Sequence, residues 1–439
     1  MNHLHHLDAA EAVRQIAAGR ITSEQLVRAC LDRIAAREGE VRAWAHCDPA
    51  AAIAQASAAD RAGAKGVLGG VPVAFKDVID TADMPSQYNS PIYRGNRPRT
   101  DAACVALVRN AGGIVLGKTV TTEFAWRVPG PTRNPHNLAH TPGGSSSGSA
   151  AAVADFMAPL AFGTQTGGST IRPAAFCGIV GYKPSFGTIN RAGLKALAES
   201  LDTIGVMARS VEDCALLAHA VSGRALPDFA AALAHAPRIG LCRTSRWKDA
   251  SPDTQALLES TAAALSGKGA AVHEVELPAD FDRLYEEQVL IMDFEAARGL
   301  AWERFNHPGL LSELLRNTLA AAAAMPREKY DEAMRHARVC RRAIAGIFVD
   351  CDVLLTPSAP GEAPAGIESC GSSLFNRSWT LLGVPCVTLP VGRGASGLPL
   401  GVQFVGNCDD DGRVLLAAEW ARRACMVASA TTAQAETEV

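Results

Sequence analysis

Gly143-Gly144-Ser145-Ser146-Ser147-Gly148-Ser149 and Gly163-Thr164-Gln165-Thr166-Gly167-Gly168-Ser169-Thr170 are two runs rich in glycine and hydroxyl residues, separated by an alanine-rich stretch. Loops of this composition expose backbone N–H groups and bend where bulkier residues cannot. On either side the chain alternates between helical and strand patterns. Thr22-Ser23-Glu24-Gln25 is a capping box that opens an amphipathic helix through Leu26/Val27, Cys30/Leu31 and Ile34/Ala35. Gly69-Gly70 leads into a short strand, Val71 to Phe75, that ends at Lys76. Asp101 caps a helix to about Asn110, Gly112-Gly113 stop it, and Ile114-Val115-Leu116 reads as the next strand. Helix, glycine, apolar strand, repeated in this order, is the pattern of an α/β fold. After Pro237 it resumes with strand Ile239 to Cys242, helix Thr254 to Leu265 and strand Ala271 to Glu276. Residues 280–349 read as almost purely helical, with Leu310/Leu311, Leu314/Leu315 and Leu319 on one face and breaks at Pro308 and Pro326, and are expected to cover a substrate cleft. Asp352 to Leu355 and the segment through Gly383-Val384-Pro385 and Gly397-Leu398-Pro399 return to α/β.

Composition removes several classes of function. Among 439 residues, 42 Lys+Arg stand against 45 Asp+Glu, a net charge of −3, so no electrostatic footprint for nucleic acid is present. No apolar run is long enough to span a membrane; the stretch from Ala150 to Gly163 is short and carries Asp155. The start, Met1-Asn2-His3-Leu4-His5-His6, has neither the basic end nor the apolar centre of a leader. Twelve cysteines are dispersed with no CxxC pair, which argues against a structural zinc site and for free thiols in a reducing cytoplasm. Neither a nucleic-acid nor a membrane partner is expected.

Three motifs compete for the chemistry. Gly112-Gly113-Ile114-Val115-Leu116-Gly117-Lys118-Thr119 matches the GxxxxGK[ST] phosphate loop, but its central Ile-Val-Leu is a strand pattern where a cradle needs flexible loop. Gly144-Ser145-Ser146-Ser147-Gly148 satisfies GxSxG, with Ser146 as nucleophile, yet the preceding Asn137 to Pro142 is polar and proline-terminated instead of a buried strand. The third combines the two hydroxyl loops with Lys76, in Val73-Ala74-Phe75-Lys76-Asp77-Val78-Ile79. Apolar neighbours depress an amine's pKa, and a neutral amine can take a proton from a serine. A surface lysine paired with Asp77 satisfies the same residues. Gly167-Gly168-Ser169 presents successive N–H donors, as an oxyanion hole requires, and also fits a plain glycine turn.

Thr141 to Ala154 together with Gly163 to Gly187, Gly70-Val-Pro-Val-Ala-Phe-Lys-Asp77, Ser200-Leu-Asp-Thr-Ile-Gly205, Ala208 to Asp213, Gly383-Val-Pro385 and Leu398 to Gly406 resemble the amidase signature family along nearly the whole chain. The resemblance implies one large domain over 1–439, a mixed central β-sheet flanked by helices on both faces, with 280–349 as the helical cover. It also implies a Ser-cisSer-Lys triad that needs no metal or organic cofactor: Ser169 as nucleophile, Ser145 as bridging serine in a cis peptide, and Lys76 as ultimate base, with the N–H groups of Thr166, Gly167, Gly168 and Ser169 holding the oxyanion. Two positions depart from the commonest family pattern. Gln165 stands where many relatives carry Asp, and Thr380 where Asn usually precedes Gly383 by three. These changes are expected to alter hydrogen bonding in the loop and to leave the triad intact.

In relatives the acyl pocket draws on the segments that hold Phe124, Trp126, Phe375 and Trp379 here, which suggests an apolar acyl or aryl group. The expected partner is a small-molecule amide, with a carboxamide or anilide hydrolysed through an acyl-enzyme and a homodimer as one allowed assembly. Carbamates and esters offer the same attackable carbonyl and remain alternatives. So does a glutamine amidotransferase A-type subunit that works with partner chains, although Thr170-Ile171-Arg172-Pro173 lacks the Arg-Gln pair such subunits commonly carry.

Overall fold

A computed structural model describes residues 4–230 and 235–435. Met1, Asn2 and His3 of the N-terminal stretch lie outside the described residues. The strands are β1 (Trp44–Cys47), β2 (Pro72–Lys76), β3 (Ile114–Thr119), β4 (Leu160–Gln165), β5 (Val180–Lys183), β6 (Thr203–Ala208), β7 (Arg238–Leu241), β8 (Ala271–Glu274), β9 (Val353–Pro357), β10 (Cys386–Arg393) and β11 (Pro399–Val405). All eleven form one sheet in the order β1-β3-β2-β4-β6-β5-β10-β11-β9-β7-β8. The sheet is mixed: β3-β2-β4 and β9-β7-β8 run parallel, and the other pairs are antiparallel.

The parallel triplet β3-β2-β4 is buried along its entire length, as strands covered on both faces must be. That burial explains why β2 reads as a continuous apolar run with no alternation. Phe75 pairs with Phe162 in the β2–β4 register, and their rings stack at 5.1 Å. Helix Ser147–Ala154 leads into β4, and helix Ile171–Phe176 leaves it, so both hydroxyl loops lie next to helix starts at the sheet. At Gly148 an added Cβ would lie 2.2 Å from the Ala43 carbonyl oxygen and 2.4 Å from the Val120 nitrogen, so only glycine lets this helix approach the strand end.

Several boundaries differ from expectation for definite reasons. Thr22 does cap helix Ser23–Val41, with both halves of the capping box formed. Asp101 is no cap: helix Ala103–Asn110 starts after Ala102, while the Asp101 carboxylate accepts from the Ala82 N–H and from Arg109. β3 continues through Lys118 and Thr119, because Lys118 finds a buried partner and need not leave the sheet. In the helical segment, Leu311, Leu315 and Leu319 are buried but Leu310 and Leu314 are exposed, so the inward face repeats every fourth residue and does not take both members of each pair. All twelve cysteines are free. Among the described residues no helix is long and apolar enough to cross a membrane, and no cluster of His, Cys, Asp and Glu is placed to hold a metal ion.

Candidate active site

Lys76 ends β2 with its side chain fully buried. Its Nζ donates to Ser145 Oγ at 2.6 Å and to Thr164 Oγ1 at 2.7 Å. Among the described residues no carboxylate lies within ion-pair distance of this amine. Burial therefore dominates and lowers its pKa from 10.5 to about 7, assisted by the positive charge of Arg172 and opposed by the charge of the more distant Asp202. A pKa lowered this far lets the amine present a free lone pair near neutral pH. Asp77 faces away from this amine and pairs with Lys118 at 3.0 Å, an ion pair whose two side chains are both buried. That arrangement removes Asp77 as the partner of Lys76, and it removes the phosphate-loop alternative, since Lys118 is closed inside the protein and its segment is strand.

Ser145 is buried, and the Gly144–Ser145 peptide bond is cis. The N–H of Ser146 donates to the Ser169 carbonyl at 3.4 Å, so the two hydroxyl loops are tied together. Ser146 itself points into the sheet, where its Oγ donates to the Thr164 carbonyl and accepts from the Thr164 N–H. It touches neither the cleft nor an imidazole, and the GxSxG alternative has no base to work with. Ser169 is different. It lines a cleft of about 460 Å³, and its hydroxyl has no protein hydrogen-bond partner among the described residues.

The loop 166–169 is braced from three sides. Thr166 Oγ1 donates to Asp202 Oδ1 at 2.6 Å, and the Thr166 carbonyl accepts from Gln288 Nε2 at 2.6 Å. Gln165 Oε1 accepts from the N–H groups of Thr170 and Ile171, while its Nε2 donates to Thr380 Oγ1 at 2.9 Å; Thr380 Oγ1 in turn lies 2.7 Å from the Gly167 carbonyl it can donate to. The two departures from the family pattern are thus hydrogen-bonded to each other across 215 residues of chain. These contacts engage side chains and carbonyls and leave the N–H groups of Thr166, Gly167, Gly168 and Ser169 without a protein acceptor among the described residues. Gly168 leaves no room for a side chain, since a Cβ there would lie 2.5 Å from Asn376 Oδ1 and 2.7 Å from Ser373 Cβ.

Of the four aromatic residues expected around the acyl group, Trp126 lines the cleft. Phe124 is instead packed with Tyr88 and Tyr93, and Phe375 and Trp379 are buried beside a separate small cavity. The cleft wall is more polar than those aromatics suggest: Arg127, Arg172 and Arg377 line it, with Tyr285, Val289 and Met292 from the helical segment. Sequence reasoning missed Thr164, Asp202, Gln288 and the three arginines. Asp202 could have been found from its motif, Ser200 to Gly205, where an acidic residue interrupts an otherwise strand-like run. The arginines carry no local signal.

Comparison with known proteins gives the family and the fold. The family model described as Amidase matches residues 25–415. The A-type subunit of the glutamyl-tRNA(Gln) amidotransferase of Roseiflexus castenholzii is 36% identical over 467 aligned positions, covering 94% of this chain and 95% of that protein. Among solved structures, the peptide amidase of Stenotrophomonas maltophilia superposes with a TM-score of 0.85 at 30% identity, covering 96% and 97% of the two chains. A complex described as vestigial, and as revealing the origins of an s-triazine catabolic enzyme, gives a TM-score of 0.88 at 28% identity, covering 95% and 98%.

Proposed function

This chain belongs to the amidase family, and from that premise we propose that it is a serine amidase in which Ser169 attacks a carboxamide or related carbonyl. The observation that carries the proposal is the buried, unpaired Lys76 amine 2.6 Å from Ser145 Oγ, behind a cleft-lining Ser169. In its neutral form Lys76 accepts a proton from Ser145 as Ser145 takes one from Ser169. The Ser169 oxygen then bonds to the carbonyl carbon, and the developing oxyanion is met by the unengaged N–H groups of the 166–169 loop. Collapse breaks the carbon–nitrogen bond, the departing nitrogen takes its proton back along the same relay, and water hydrolyses the acyl-enzyme. The residues named supply both proton transfer and oxyanion stabilisation without a cofactor. The same steps serve anilides, carbamates and esters.

A panel of aliphatic, aryl, α-amino and carbamate substrates, run with wild type and Ser169→Ala in parallel, tests this; undiminished turnover by the variant overturns it. The second proposal is an amidotransferase subunit, favoured by relatives of that description that are 34–36% identical over more than nine-tenths of this chain. Against it stand Pro173 directly after Arg172 and the net charge of −3. Glutaminase activity that appears only with partner chains supports the subunit, whereas hydrolysis of simple amides by the isolated chain supports the free-standing enzyme.

A further inference from the structure

Arg172 and Arg377 lie on the cleft wall, 7% and 8% exposed, and among the described residues neither has a carboxylate within ion-pair distance. The other charges at the cleft are already matched. Arg127 pairs with Asp293 at 3.5 Å, and Glu286 pairs with Arg246. A buried cation without a counterion is strongly disfavoured, so two of them beside one cleft call for a negative charge that the protein does not supply.

The two guanidiniums are not equivalent. Arg172 is held by its own loops: Nη1 donates to the Gly371 carbonyl at 2.7 Å and Nη2 to the Gly144 carbonyl, which fixes the loop bearing Ser145. Among the described residues Arg377 has no backbone carbonyl to hold it and gives Nη1 to Gln288 Oε1; the Nε of each arginine is buried without a partner. It also lies against the oxyanion loop, since a Cβ placed on Gly167 would be 3.4 Å from Arg377 Nη1 and 3.5 Å from Cζ. Tyr285 offers its ring face at 5.6 Å, a weaker compensation than an anion. Burial, together with Arg127 and Arg172, holds the Arg377 pKa down to about 10, against the opposing pull of Tyr285 and Asp293.

We propose that this wall is a carboxylate subsite, with Arg377 as the recognising residue and Arg172 adding to the field, and that the substrate is a monoamide of a short dicarboxylic acid. The inference rests on the hydrolytic function proposed above. The Ser169 oxygen bonds to the carbonyl carbon as the carbon–nitrogen bond breaks and ammonia leaves, and water then cleaves the acyl ester and restores the serine, so the monoamide anion and water yield the dicarboxylate and ammonium. The closeness of Arg377 to the oxyanion loop sets the length, because a carboxylate held there leaves only a short acyl chain before the scissile carbonyl.

Calorimetric titration of malonate, succinate and glutarate into the Ser169→Ala protein tests binding without turnover, with dimethyl succinate as the uncharged probe. At least one diacid should bind tenfold or more tighter than the diester, and Arg377→Met on the same background should remove that difference, with Arg377→Lys restoring part of it. Absence of diacid binding, or binding indifferent to Arg377→Met, overturns the subsite. In the active enzyme, kcat/KM for succinamic acid should exceed that for succinamide tenfold or more, and Arg377→Met should erase the preference mainly through KM. A purely bracing Arg377 would instead lower both substrates by one factor, which also overturns the proposal. Retention of turnover by Ser169→Ala would defeat the serine mechanism while leaving the calorimetric result to stand or fall alone.

Discussion

Replacing Lys76 by Met separates the proton-accepting role of this amine from its effect on folding. Lys76 has a pKa of about 7 in the folded chain and 10.5 when unperturbed. Because the folded value is the lower one, the unfolded chain binds the extra proton between these limits, and stability rises with pH across that window. The penalty is about 4 kcal/mol at pH 7 and about 2 kcal/mol at pH 9, on the scale of about 1.4 kcal/mol for each unit of pKa. Lys76→Met removes it, but leaves the hydroxyls of Ser145 and Thr164 without their 2.6 and 2.7 Å partner, at about 1–3 kcal/mol each. The two effects are of similar size near pH 7, so stability at that pH alone does not separate them, whereas the pH dependence of their difference is diagnostic. Urea unfolding of both proteins at pH 7 and pH 9 should show wild type gaining about 2 kcal/mol relative to Lys76→Met, since every other titrating group is common to both. Wild-type kcat/KM should rise with pH to a plateau with its midpoint near the Lys76 value of about 7, and be about 50-fold lower at pH 5 than at pH 7. Parallel stability curves for the two proteins, with a rate midpoint far above 7, would refute a neutral buried amine.

Ser169→Ala should lower amide turnover by about 10³-fold or more, whereas Ser146→Ala should keep turnover and lose about 1–3 kcal/mol of unfolding free energy through its unpaired Thr164 groups; steady-state rates and urea midpoints on both variants decide, and the reverse pattern would favour Ser146 as nucleophile. Gly168→Ala should abolish activity, because its Cβ meets Asn376 and Ser373 at 2.5 and 2.7 Å, while Gly167→Ala, whose nearest neighbour is 3.4 Å away, should keep a measurable rate; equal rates would show that the loop does not need its close approach. Gln165→Ala and Thr380→Val should each slow the acylation step, and combined should cost less than their sum by about 1 kcal/mol, as expected for partners in one hydrogen bond; strict additivity in single-turnover rates would mean that their 2.9 Å contact does not brace the loop.

What could be read from the chain depended on how local the cause was. The capping box at Thr22, the glycines before β2 and the glycine-hydroxyl loops act within a few residues, so their sequence is their signal. Asp101 misled because a carboxylate before a helix has other acceptor work available, here the Ala82 N–H and Arg109. The aromatic residues misled in another way. Phe375 and Trp379 occupy the right segment, but large apolar side chains pack inward, and the side chain between them that reaches the cleft is Arg377. Arg127, Arg172 and Arg377 come from three distant parts of the chain, and each reads alone as an ordinary surface residue. A net charge of −3 averages over the whole surface, whereas the sign of a cleft is set by the few ionised groups lining it that lack partners. The same charge arithmetic that disfavours a nucleic-acid surface is therefore compatible with a strongly cationic cleft. The distinction is physical: exposed charges are screened and mostly paired, but Arg172 and Arg377 are buried beside the loop where a substrate carbonyl would sit, and there an unmatched charge selects what enters.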